Sequence, residues 1–474
     1  MTVFDLYSRR QMIQALGGGL GLVGLSQMLG DDLLSRRVHA TPPSSNADVS
    51  RRDHAARQPH FVPRAKRVIQ LFMNGGPFQA DLFDPKPKLN EFAGQRPAEV
   101  QLRTENQTGG LMPVPFGFKN CGVSGLQVSE LLPKLGKCID DLCILRSLHT
   151  DNPNHGPALF QMNNGTISPT RPSMGSWLTY GLGSENEDLP GYVVLCPGRP
   201  VRFSELWSSA FLPGEFQGTY INHTNLDPQA MVPHVKSPQL TPAQQRRQLD
   251  LLAKMNQAHA AERGGDDRFE ARIRAMETAY RMQFAATDAF DVSREPAKVR
   301  EAYGATHYAN GCLLARRLIE RGVRLVQVYY GNGQPWDTHR NHNETTKTLC
   351  KDIDQPTAAL LTDLKQRGLL ADTLVIWGGE FGRTSTSESS DGRDHNHWGF
   401  TMWLAGGGVK GGMAYGATDD FGFRAVQDKV HVHDLHATIL HLLGLDHERL
   451  TYRHAGRDYR LTDVYGNVVR EILA

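Results

Sequence analysis

Three short segments in the C-terminal half of the chain bring carboxylates and imidazoles close together. Asp337-Thr338-His339, with His342 three residues on, offers one carboxylate and two imidazoles. Glu380 follows an apolar run and two glycines in Val375-Ile376-Trp377-Gly378-Gly379-Glu380-Phe381-Gly382-Arg383. Gly392-Arg393-Asp394-His395-Asn396-His397 completes the set. Oxygen and nitrogen donors without thiolate suit zinc, manganese, calcium or magnesium, and mixed imidazole and carboxylate sets lean to the first two. A lone histidine is usually an ordinary polar residue, but several converging from adjacent strand ends point to a metal. Arg383, close after Glu380, has two readings. A guanidinium can grip two oxygens of an anion, or it can form an internal salt bridge. Arg393 is the same kind of case.

These residues need elements to position them. Six apolar runs of β character, at 67–73, 141–148, 191–195, 324–330, 373–377 and 401–405, each end in a loop loaded with Gly, Asp, Asn, Glu or His. Helical patterns at 310–321, 355–367 and 433–443 stop at Gly322, Gly368 and Gly444. This alternation predicts βαβ units and a mostly parallel sheet. Binding crevices of such sheets lie beyond the carboxyl ends of the strands. The segment around 241–302, rich in Gln, Arg, Ala, Glu and Met, reads as a helical insertion over one face or edge.

With 474 residues, 39% of them hydrophobic, the chain can bury one large core. Its 52 basic and 50 acidic residues leave a net charge of +2, which gives no reason to invoke nucleic acid or an anionic membrane. Ser8-Arg9-Arg10-Gln11-Met12, the uncharged Gly-rich stretch 11–30 and Val38-His39-Ala40 resemble a twin-arginine export signal over residues 1–40. A membrane anchor is the other reading, but the glycines make the stretch poorly apolar. The expected location is periplasmic or extracellular, with a linker over 41–63 and no integral membrane segment in the mature chain. The six cysteines have no C-x-x-C spacing; Cys138 and Cys143 could pair, or all six are free thiols.

Longer motifs carry a family resemblance. Residues 72–87 (FMNGGPFQADLFDPKP), 154–165 (NHGPALFQMNNG) and 173–195 resemble a bacterial secreted family known as domain of unknown function 1501, and so do WDTH, GGEFGRT, GRDHNHWGF and VHVHDLHATILHLLGLD. Motif order is similar to that of the alkaline phosphatase and sulfatase superfamily. The resemblance implies an alkaline-phosphatase-like three-layer α/β sandwich with a mostly parallel central sheet, over residues 64–474. It places His155, in His155-Gly156-Pro157, where superfamily members carry their nucleophile, and Asn74 where they carry a metal-binding Asp. Asp337, His339 or His342, Glu380, Asp394, His395 and His397 fall in the order of their metal ligands, with Phe381 where a histidine would stand.

The implied activity is metal-dependent hydrolysis of a phosphate or sulfate ester, on a small molecule or an extracellular polysaccharide, with zinc, manganese or calcium as cofactor. No Ser, Thr or Cys occupies the nucleophile position. Attack therefore falls to His155, to Thr150, or to a water activated by the metal with His155 as ligand or general base; the last needs no nucleophile in the chain and is preferred. A catalytically inactive relative binding a glycan or protein, and a phosphotransferase, are the alternatives.

Overall fold

Val68 and Phe72 point to one side of the first strand, Ile69 and Leu71 to the other, and all four are fully buried. The strand therefore feeds two separate cores. That is what a strand covered by helices on both faces requires. The structure, a computed structural model, describes residues 56–232, 239–263, 273, 276–282 and 288–474. The predicted export signal, most of the linker and part of the 241–302 insertion lie outside them.

The strands that matter here are β1 (Arg67–Phe72), β2 (Thr108–Leu111), β3 (Leu142–His149), β4 (Tyr192–Cys196), β5 (Thr219–Asn222), β6 (Leu325–Tyr329), β7 (Thr373–Gly378), β8 (Gly382–Glu388), β9 (Gly392–Asn396), β10 (Phe400–Ala405), β11 (Met413–Tyr415) and β12 (Val430–His431). Nine of them form the central sheet in the order β11-β3-β10-β7-β1-β6-β4-β5, with β12 also on β3. All pairings are parallel except those of β10, which runs antiparallel to both β3 and β7. Helices α3 (His307–Glu320) and α4 (His342–Gln366) cover one face. Helices α1 (His155–Asn164), α2 (Met174–Leu182) and α5 (Val432–Leu442) cover the other. The mixed α/β fold with a mostly parallel sheet is thus as expected.

Three details differ. The segments after Glu380 and around Asp394 are not loops but the antiparallel pair β8–β9, which joins β2 in a separate three-stranded sheet. Their buried residues are Gly, Arg, Thr, Ser, Asp, His and Asn, so the apolar signal of a strand is missing from the sequence. Helix α4 starts at His342, well before Pro356, because Leu349, Cys350 and Ile353 already face the core at helical spacing. The six cysteines are free thiols, Cys138 and Cys143 included. The insertion contains a helix at Pro242–Arg263 and another at Ala297–Tyr303. Among the described residues, no helix is long and apolar enough to cross a membrane.

Candidate metal centre

The turn after β1 is the keystone of the site. Gly75 has φ of +113°, and a Cβ there would stand 2.4 Å from the backbone nitrogen of Asp337. Only glycine lets this turn press against the loop that follows β6. Gly75 N donates to Glu380 at 3.1 Å, and the Arg383 guanidinium donates to the carbonyls of Gly75 at 2.6 Å and Gly76 at 3.3 Å. Thus the ends of β1, β6 and β7 are tied together before any histidine is considered.

On this frame three imidazoles meet one carboxylate oxygen. His339 Nε2 lies 2.9 Å, His155 Nε2 3.1 Å and His395 Nε2 3.2 Å from Asp337 Oδ1. His339 Nε2 and His395 Nε2 face each other at 3.0 Å. His155 comes from the first residue of α1, His395 from β9, and Asp337 and His339 from the loop after β6. Each ring's other nitrogen is held by a glutamate. His155 Nδ1 donates to Glu380 at 2.6 Å, His395 Nδ1 to Glu105 at 2.5 Å, and His339 Nδ1 to Glu388. A histidine that gives its Nδ1 proton to a carboxylate presents a lone pair at Nε2, which is how metal-binding imidazoles are commonly oriented.

The arrangement fits a metal ion. His155 Nε2 is buried and, despite its proximity to Asp337, is not aligned for a hydrogen bond. Two facing Nε2 lone pairs repel unless a cation or a proton lies between them. Ligand–ligand separations of about 3.3 Å follow from tetrahedral geometry with zinc–nitrogen bonds near 2.05 Å, close to the separations here. His155, Asp337, His339 and His395 could therefore hold a metal ion.

Electrostatics agree. Burial works against the Asp337 charge, but the adjoining imidazoles of His155, His339 and His395 and the Arg383 charge outweigh it and hold the carboxyl far below its usual range. The bond to Asp337 raises His339 to about 9, against the effect of burial. His155 is lowered by burial and raised more by Asp337 and Glu380. Asp337 and His339 remain partly exposed, so the cluster opens to solvent on their side.

Several expected site residues have other tasks. Glu380 orients His155 and the Gly75 turn from outside the cluster. Asp394 accepts from Asn106 N at 2.7 Å, fixing the loop that carries Glu105, and also lies within reach of His339 and Glu388. Asn74 donates to the carbonyls of Gly331 and Gly333, anchoring the loop that leads to Asp337. His397 lies outside the cluster, its ring against Trp398 and its Nδ1 without a hydrogen-bond partner among the described residues. His342 bonds Asp81 at 2.7 Å and Thr338 at 2.6 Å, deep in the core. Arg383 is fully buried and committed to Asp337 and to carbonyls, so it offers no anion anchor. Arg393 is likewise buried, bonded to the carbonyls of Thr384, Ser385 and Met112 and packed over Phe78. Thr150 donates to Gln161 at 2.7 Å inside the core and is not poised to attack. Glu105 and Glu388 had no local signal in the sequence. Only the fold brings them to the rings they hold.

A family model matches residues 65–473. The chain belongs to that family, described as a protein of unknown function (DUF1501). No curated protein matches it. Among solved structures it is similar to the lipoteichoic acid synthase LtaP from Listeria monocytogenes, at 9% identity over 87% of this chain and 79% of that one, with a TM-score of 0.36. The PsFucS1 sulfatase from Pseudoalteromonas sp. is similar at 12% identity over 81% and 69%, with a TM-score of 0.34. The phosphonate monoester hydrolase SpPMH from Silicibacter pomeroyi follows at 14% identity over 66% and 68%, with a TM-score of 0.30. Likenesses this distant leave the chemistry of the site to be argued from the chain's own residues.

Proposed function

We propose that this family member is a metal-dependent hydrolase of phosphate or sulfate esters, exported and acting on a small molecule or an extracellular polysaccharide. The observation that carries it is the convergence of His155, His339 and His395 on Asp337 Oδ1, with a glutamate behind each ring. Three imidazoles and one carboxylate favour zinc, then manganese, over calcium, which prefers an all-oxygen shell. A bound ion of this kind supplies Lewis acidity and acidifies water toward neutral pH. Within the chain, His155 serves as a ligand and not as a nucleophile, since its Nδ1 donates to Glu380 and its Nε2 lies among the donor atoms of Asp337, His339 and His395. Asp337, held ionised by its neighbours, balances charge in the site. The ester class rests on the order of the motifs along the chain.

One observation favours a second reading. Four donors from the chain would complete a tetrahedral shell, as in structural zinc sites, whereas catalytic sites usually keep a position open. A metal-stabilised binding protein would then result. Elemental analysis of the mature protein purified without chelator, beside assays on aryl phosphate and aryl sulfate mono- and diesters, separates the two. The hydrolase reading expects about one equivalent of zinc or manganese and turnover that disappears on chelation and in Asp337→Ala. Metal without turnover of any such ester supports the binding reading, and absence of metal overturns both.

A further inference from the structure

Against the helix residue that follows His155 stands a guanidinium that takes part in no hydrogen bond among the described residues. A Cβ built at Gly156 would meet Arg202 Nε and Nη2, each at 2.8 Å, so the Arg202 head group lies against the residue that follows His155. Arg202 is exposed. Among the described residues, no carboxylate or carbonyl takes a hydrogen bond from its side chain, and its Cζ lies over the Phe160 ring, 5.8 Å from the centroid. Arg383 and Arg393, in contrast, are spent on internal carbonyls.

The position is also built rather than incidental. Arg202 and the following Phe203 hold φ of +67° and +29°, a left-handed backbone that non-glycine residues rarely adopt. The loop that bears them is fastened to the Asp337 loop. Gly333 N donates to Arg199 O at 2.9 Å, and Arg199 N donates to Asn332 Oδ1 at 2.7 Å. The carbonyls of Gly331 and Gly333, in the same loop, are bonded by Asn74. Arg202 is therefore positioned from the same scaffold that positions Asp337.

We propose that Arg202 is the residue that grips the anionic group of the substrate, two guanidinium N–H groups bonding the sulfate or phosphate oxygens that face away from the metal ligands. This rests on the hydrolase reading of the site and names its anion-binding residue. A planar fork matches two oxygens of a tetrahedral oxyanion. Gly156 is then required, because any side chain there displaces the fork.

The test is calorimetric titration of inorganic phosphate and of sulfate into the metal-loaded mature protein. Arg202→Ala should weaken binding of the anion about tenfold to a hundredfold, from the usual worth of charged hydrogen bonds. Arg202→Lys should recover part of that loss, and Gly156→Val should reproduce it with Arg202 intact. Metal content, read by elemental analysis, should equal that of wild type in all three. Wild-type anion affinity in Arg202→Ala, even with a lowered Tm, overturns the proposal and leaves Arg202 a packing residue on Phe160. Failure of metal-loaded wild type to bind either anion overturns it too, while the metal stoichiometry still supports the centre. Anion binding that depends on Arg202, without turnover of any ester, overturns the hydrolase reading alone.

Discussion

Two groups of histidines lie close together in this fold and are wired in opposite ways. In the metal centre every ring donates Nδ1 to a glutamate and turns Nε2 toward Asp337. In the neighbouring patch, beside a cavity of about 710 Å³ lined partly by Asp151, His431, His433 and Tyr465, the pattern is different. His433 and His436 donate Nε2 to the carbonyls of Gly165 and Met162, and their Nδ1 atoms, like those of His149 and His397, have no hydrogen-bond partner among the described residues. Burial lowers all four, His397 to about 4 and His436 to about 3. The first group gathers charge, whereas these four buried rings exclude it and the less buried His431 beside them meets Asp151 at 3.1 Å. The number of histidines in a loop therefore says less about a metal than the carboxylate behind each ring.

The comparison can be broken most directly through Asp337. Asp337→Ala should abolish metal binding, measured by elemental analysis, whereas His397→Ala should keep the full stoichiometry. Metal loss in the second variant would merge the two groups. A smaller effect is expected from the outer carboxylates. Glu105→Gln, Glu380→Gln and Glu388→Gln should each lower metal affinity about tenfold to a hundredfold, with Glu380 the most severe because it also holds the Gly75 turn. Competition with a chromophoric chelator gives the affinities, and unchanged values in all three would remove the orienting role.

The pH dependence of stability should sharpen the contrast with the smallest effect. His397 and His436 titrate lower in the folded chain than in the unfolded one, so their contribution is whole above about pH 6.5. It drains as pH falls toward 4 and 3, by up to about 1.4 kcal/mol per pH unit for each, since only the unfolded imidazole takes up the proton. In metal-free protein His339 acts in the opposite sense. Raised to about 9, it contributes stability below pH 6.5 that is lost as pH climbs through its folded value. Denaturant midpoints at pH 5, 7 and 9 should show loss on the acid side that His436→Asn makes shallower, and a flat acid limb would contradict the assignment.

Most of the sheet was legible because its strands are buried on both faces and read as continuous apolar runs. The six runs at 67–73 to 401–405 all became strands of the central sheet, within a residue or two. Strands β8 and β9 were not legible, since their buried side chains are polar: the backbones pair with each other and with β2, while Arg383, Asp394 and His395 find their partners in segments distant in sequence. At the site, the sequence pointed to Asp337, His339 and His395 through their density and to His155 through its place in the motif order. It could not separate a ring that binds from a carboxylate that orients one. Glu380 and Asp394 carry the same chemistry as Asp337, and only their neighbours in space distinguish them. Arg202 lay beyond any local pattern, because its relation to His155 runs through Gly156 and the close approach of two loops.

The strand order has a consequence for how the protein is made. Among the described residues, strand β3, which leads into His155, pairs only with β10, β11 and β12. All three belong to the last quarter of the chain. On the ribosome the arm bearing His155 is synthesised early, yet it has no neighbouring strand until residues 400–431 have emerged. Wedging β10 between β3 and β7 is thus a closing event of assembly, and a chain stopped short of Phe400 would leave His155 apart from Asp337, His339 and His395.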